Sequence, residues 1–121
     1  MLRIVFIMLF LAFSPPAGAE EPRFFSELSD IPLMPGLFEL ADDTVVFDKP
    51  EGRIVESSAA SETENINKIK AFYDSALPQL GWVRVSGPAG EPSYIRQDEA
   101  LRLRLETKEG VSIVKLMVSP R

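Results

Sequence analysis

The stretch Leu101-Arg102-Leu103-Arg104-Leu105-Glu106 alternates apolar and charged residues without a break. Only an extended strand gives that spacing two coherent faces, because successive side chains point to opposite sides of a sheet. The leucines then face a core and the charges face water. The rest of the chain must supply neighbouring strands and an apolar element to cover the leucines.

One segment has the pattern of that cover. Ile66, Ile69, Phe72/Tyr73, Ala76/Leu77 and Leu80 recur at steps of three and four and make one apolar helix face. Asn65, Asn67, Lys68, Lys70, Asp74 and Ser75 fall mostly on the other. Ser61-Glu62-Thr63-Glu64 reads as a capping box, with Ser61 at the N-cap. Pro78 cannot sit in a helix interior, so the pattern predicts an end near Leu77 and a looser turn to Gly81. Ahead of the helix, Thr44–Phe47 and Arg53–Ser58 flank a Pro- and Gly-bearing turn and predict a β-hairpin. After it, four strands are expected: Trp82–Ser86, Ser93–Gln97, the Leu101–Glu106 alternation, and Val111–Val118. A loop at Gly87–Pro92 and turns at Asp98-Glu99 and Lys108-Glu109-Gly110 separate them. Such short turns make antiparallel neighbours. The fold class is α+β: a single helix packed on an antiparallel sheet, in the order β-β-α-β-β-β-β.

The phrase Phe72-Tyr73-Asp74-Ser75-Ala76-Leu77-Pro78-Gln79-Leu80-Gly81-Trp82 resembles the F-Y-x-x-x-L-P-x-L-G-W phrase of small exported bacterial domains, many of them uncharacterised. Val46-Phe47-Asp48-Lys49-Pro50-x-Gly52-Arg53-Ile54 is similar to a hairpin that precedes it in proteobacterial versions. The resemblance implies the fold and an exported location, and implies no activity. Physically, Phe72 and Leu77 bury on the sheet, Pro78 stops the helix, Gly81 permits a tight reversal, and Trp82 packs back on the helix end.

The N-terminus points to the same location. Arg3 is followed by ten apolar residues, Ile4–Phe13, then Ser14-Pro15-Pro16, then Ala17-Gly18-Ala19. This is the pattern of a cleavable signal peptide over 1–19, with cleavage after Ala19. The apolar run is too short for a span, which needs roughly 20 residues, so no stable membrane span is expected after cleavage. Loss of the single Arg3 moves the net charge from −5 to −6. With no Cys, the chain is a fold that does without disulfides in a compartment that permits them, which fits a bacterial periplasm. Residues 20–43 read as an apolar, Pro-rich arm carrying Phe24, Phe25, Leu28, Ile31, Leu33, Met34, Leu37, Phe38 and Leu40. The arm either packs over the core of the 44–121 domain or stays exposed as a docking segment, with Met34, Leu37 and Phe38 as contact residues.

Composition removes most chemistries. Without His or Cys there is no ordinary zinc site, Cys nucleophile or imidazole acid/base. The acidic balance argues against nucleic acid. Asp42-Asp43 with Asp48, and Asp98-Glu99, read as solvated loops, and the first set is only a partial match to a Ca²⁺ loop. Ser57, Ser58 and Ser61 have no His, and Lys68 and Lys70 read as solvent-facing. No Gly-rich phosphate loop is present. No catalytic residue, metal or cofactor is expected. The polar feature that stands out is Arg84, Arg96, Arg102 and Arg104 on three candidate strands: either cross-strand ion pairs with Glu91, Asp98, Glu99 and Glu106 neutralise them, or, if they share one solvent face, they make a cationic patch for a carboxylate or phosphate. The function expected is a non-catalytic interaction or binding module of the cell envelope with a protein partner. The alternative is a small-ligand binding protein or a small hydrolase using carboxylate or Ser groups.

Overall fold

The computed structural model describes residues 21–121. The expected signal peptide over 1–19 lies outside the described residues. Nine strands and one helix follow: β1 (Arg23–Phe24), β2 (Pro32–Leu33), β3 (Phe38–Glu39), β4 (Val45–Lys49), β5 (Gly52–Ser61), α1 (Ile66–Gln79), β6 (Val83–Val85), β7 (Ser93–Arg96), β8 (Glu99–Lys108) and β9 (Val111–Pro120). The architecture is α+β, one helix on an antiparallel sheet. The expected order β-β-α-β-β-β-β is β4 to β9 with α1 after β5, and the arm adds three two-residue strands.

β1 and β2 pair with each other as a small ribbon. The main sheet runs β3-β5-β9-β8-β7-β6, with β4 also on β5. β3 and β4 continue one another along that edge. Phe38 pairs with Ala60 and Val45 with Glu56, and a 3-10 turn at Ala41–Asp43 bulges out between them. The longest pairing, β8 with β9, is closed by Glu109-Gly110, both at positive φ as a two-residue hairpin turn of this hand requires. The turn ahead of β8 falls one residue earlier than expected, at Gln97-Asp98, because Glu99 already pairs with Arg96.

Register sorts the side chains. Val55, Ser57 and Ala59 lie opposite Val118, Leu116 and Val114, and these opposite Leu101, Leu103 and Leu105. That face is covered by α1 through buried Ile69, Tyr73 and Leu77, and by arm residues Phe25, Leu28, Ile31, Leu33 and Leu37, all in one core cluster. The arm is therefore continuous with the domain core. Polar ties hold it there: the Tyr73 hydroxyl donates to Pro32 O (2.8 Å) and accepts from Met34 N (3.3 Å), and Arg23 donates to Leu37 O (2.7 Å).

Both helix ends differ from expectation. The N-cap is Asn65, whose Oδ1 accepts from Lys68 N (2.9 Å). Ser61 cannot cap the helix because it is held in β5 opposite Ser112. Its Oγ instead accepts from Thr63 N and Glu64 N and turns the chain off the sheet. At the other end Pro78 lies inside the last turn. Trp82 N donates to Leu77 O (3.1 Å) and Gly81 N to Pro78 O (3.1 Å), with Gly81 at φ +90°. These crossed bonds form a Schellman motif, which satisfies the last carbonyls and seats Trp82 beside Leu77.

Candidate functional site

The four arginines do not share a face, so the single patch of four does not form, and three of them have carboxylate partners. Arg84 lies opposite Tyr94, and Tyr94 opposite Leu101, which puts Arg84 and Arg96 at the rim of the helix-covered face. Arg102 and Arg104 point the other way. The two rim arginines are already engaged. Arg84 donates to Asp74 Oδ1 (3.1 Å) and stands 5.4 Å from the Tyr94 ring centre. Arg96 donates to Asp30 Oδ2 (2.7 Å) and Leu80 O (3.1 Å), and lies 4.3 Å over the Trp82 ring. Stacking on Trp82 while Nη1 donates to both Asp30 and Leu80 is a packing role for this guanidinium, which closes the arm against the helix end.

The uncovered face has a different character. Arg102 and Arg104 are exposed, and Arg104 lies directly opposite Lys115. Like charges directly opposite are destabilising, and of the two only Arg104 makes an ion pair among the described residues, with Glu91 at 3.1 Å. Neither Arg102 nor Lys115 makes an ion pair among the described residues. By register Lys49, Arg102, Arg104, Lys108 and Lys115 share this face with Glu56 and Glu106, and Glu91 reaches it through Arg104, five cations against three carboxylates. A chain of net charge −5 thus presents a cationic sheet face. Between the charges lie half-buried Ile54, Ile113 and Met117, and exposed Phe47 and Phe38 at the edge. Lys115 was missed in the sequence, although the two-residue turn at Glu109-Gly110 already places it across from Arg104.

The three arm residues separate as well. Leu37 is 1% exposed and belongs to the core, so it is not a contact residue. Met34 is half-buried and tied by its N–H to Tyr73. Phe38 alone is open, at 47%, on the cationic face.

Comparison with family models, with curated proteins and with solved structures found no match. The chemistry must be read from the groups themselves.

Among the described residues, Asp42, Asp43 and Asp48 join no cluster able to hold a metal ion. Ser57 and Ser58 are buried, and their hydroxyls have no hydrogen-bond partner. Lys68 pairs with Glu64 and Lys70 with Asp74, so neither of these lysines forms a dyad with a serine. The most organised polar cluster surrounds Asp74. Its carboxylate accepts from Tyr94 OH (2.8 Å), Lys70 Nζ (2.9 Å) and Arg84 Nη1 (3.1 Å). Burial works to raise its pKa, but the Lys70 and Tyr94 hydrogen bonds and the Lys70 and Arg84 charges hold it below the ordinary value. Tyr94 is raised by burial and by the Asp74 carboxylate. The cluster joins α1 to β6 and β7. An apolar cleft of about 240 Å³ lies between arm and helix, lined by Pro22, Pro32, Leu33, Pro35 and Phe72, with Glu21 and Arg23 at its charged side. It is smaller than the roughly 300–1,000 Å³ of drug-sized ligand sites. No described helix is long and apolar enough to cross a membrane.

Proposed function

We propose that this chain is an exported, periplasmic interaction module of the cell envelope, and that its uncovered sheet face receives a protein partner with an acidic surface. The observation that carries this is the cationic face itself: Arg102 and Lys115 without ion pairs, Arg104 and Lys115 opposed, on a chain that is acidic elsewhere. Such a face raises the encounter rate with acidic surfaces and selects among them. The interleaved Ile113, Met117 and Phe47 supply the apolar contact that charges alone do not. The apolar run before Ala17-Gly18-Ala19 supports export, as does the resemblance of the Phe72–Trp82 phrase to exported domains. The absence of cysteine fits a periplasmic fold that needs no staple.

The test is capture from the native envelope with a C-terminal tag and crosslinking in living cells. A single stoichiometric partner is expected, together with an intact mass of the uncrosslinked protein matching 20–121. Arg102→Glu with Arg104→Glu should abolish that capture and leave the melting temperature within a few degrees, since both side chains project into solvent. Capture unchanged by the double reversal overturns the assignment of this face.

A further inference from the structure

One row of side chains crosses the whole uncovered face. Phe47 lies opposite Ile54, Ser119 opposite Ala100, Ala100 opposite Ile95, and Ile95 opposite Val83. Ile54 stands beside Ser119, one residue past the pair of Val55 with Val118. Apart from Ser119 the row is apolar from β4 at one edge to β6 at the other. Its two ends, Phe47 (59% exposed) and Val83 (60%), are the most exposed large apolar side chains among the described residues. Its middle is low, because Ser119 and Ala100 are its smallest side chains and the bulkier Ile54 and Ile95 flank them. The cations stand to one side. The next row holds Glu56, Met117 and Arg102, and the one after it Lys115 and Arg104.

We propose that this row seats one amphipathic helix of the protein partner, laid across the strands, with carboxylates along the flank that meets Arg102, Arg104 and Lys115. The site lies within the cationic face and rests on the reading of that face as a protein-docking surface. Spacing favours a helix. Neighbouring strands stand about 4.8 Å apart and a helix advances about 5.4 Å per turn, so one apolar residue per turn keeps step with one strand after another. The row crosses β4, β5, β9, β8, β7 and β6, which span about 24 Å, the length of about 16 helical residues. Shape disfavours a lipid surface. A bilayer meets the projecting ends, Phe47 and Val83, whereas a helix also fills the low centre over Ala100 with one large side chain. Charge fixes the flank. Arg102 and Lys115 make no ion pair within the chain among the described residues, so acidic residues on successive turns beside the apolar stripe meet cations that are open to them. With α1 on the other face, the partner's helix makes this sheet the middle of three layers.

The probe is a synthetic helical peptide of about 16 residues, with leucines along one stripe and glutamates beside it, titrated into the isotope-labelled protein and followed by heteronuclear NMR. Amide shifts are expected at Phe47, Ile54, Ala100, Ile95 and Val83, and none on the exposed side of α1. A peptide of the same composition with the stripe scrambled should bind at least about tenfold more weakly, through loss of apolar contact. Ala100→Glu should weaken binding of the striped peptide by at least about tenfold, because it fills the low centre and opposes the acidic flank. Val83→Glu, at an exposed position, checks the same row where folding is not at risk, and circular dichroism melting confirms both variants. A spin label at either peptide end should broaden amides of the edge strands β4 and β6 and spare the turn at Glu109-Gly110; the reverse pattern, a peptide lying along the strands, overturns the proposal. Equal binding of the scrambled peptide overturns it too, and leaves the cationic-face reading standing on charge alone. Vesicles of phosphatidylglycerol that shift Ala100 and Ser119 as the peptide does assign the row to a lipid surface instead. No binding of the striped peptide overturns the helix site, and the reading of the face is then decided separately by capture with Arg102→Glu and Arg104→Glu.

Discussion

Two residues show how a side chain or its absence fixes local structure here. Gly81 stands at φ +90°, where a Cβ collides with its own backbone, and the Schellman bonds from Gly81 and Trp82 depend on that conformation. Gly81→Ala should cost about 1–2 kcal/mol, read as a lower urea midpoint at unchanged slope. Asp74 is the second. Its folded pKa lies below the ordinary 3.8 despite the burial that opposes this, through Lys70, Tyr94 and Arg84. A carboxylate lowered on folding contributes stability fully above its unfolded pKa, and loses it as pH falls through the folded value. Asp74→Asn should therefore destabilise at pH 7, and the gap to the parent should narrow as pH falls below the ordinary carboxylate value, as urea unfolding at each pH will show. The glycine was legible in the sequence as a reversal between Leu80 and Trp82. The full Asp74 cluster was not, because Arg84 and Tyr94 lie ten and twenty residues from Asp74 and meet it only through the pairing of β6 with β7.

At the scale of elements, the arm is the least regular part of the chain, yet five of its apolar side chains are buried. It contributes Phe25, Leu28, Ile31, Leu33 and Leu37 to the core, each an apolar side chain whose burial is worth about 1.5–3 kcal/mol. That sum is comparable with the whole stability of a small domain, so deleting residues 21–40 should abolish cooperative unfolding. A truncated chain that melts sharply near the parent temperature would contradict the packing described. The apolar content of the arm was plain in the sequence, but three prolines and a glycine give it no period, so nothing in it told packed from exposed. Ser61 misled for a related reason. The capping-box spacing is local, whereas the pairing of Ser61 with Ser112 is not, and the sheet wins because it secures seven consecutive pairs from Val55 to Ser61.

For the whole molecule, the decisive property is which face each charge occupies. The alternation at Leu101–Glu106 made two faces legible and assigned Arg102 and Arg104 to water. Placing Arg84 and Arg96 required the register of β6 and β7, which rests on a seven-residue connection whose length fixes no parity in advance. The outcome is a division of labour: two arginines lock the helix-covered side through Asp74, Asp30 and Trp82, and two remain on a cationic sheet face with Lys115. The central claim is that this face meets the partner. Site-specific photocrosslinking in living cells tests it most directly, with the crosslinker at Arg102 on the open face and, separately, at Ala71 on the exposed side of α1. The account predicts a discrete adduct from position 102 and none from position 71. An adduct from position 71 with none from position 102 would contradict it.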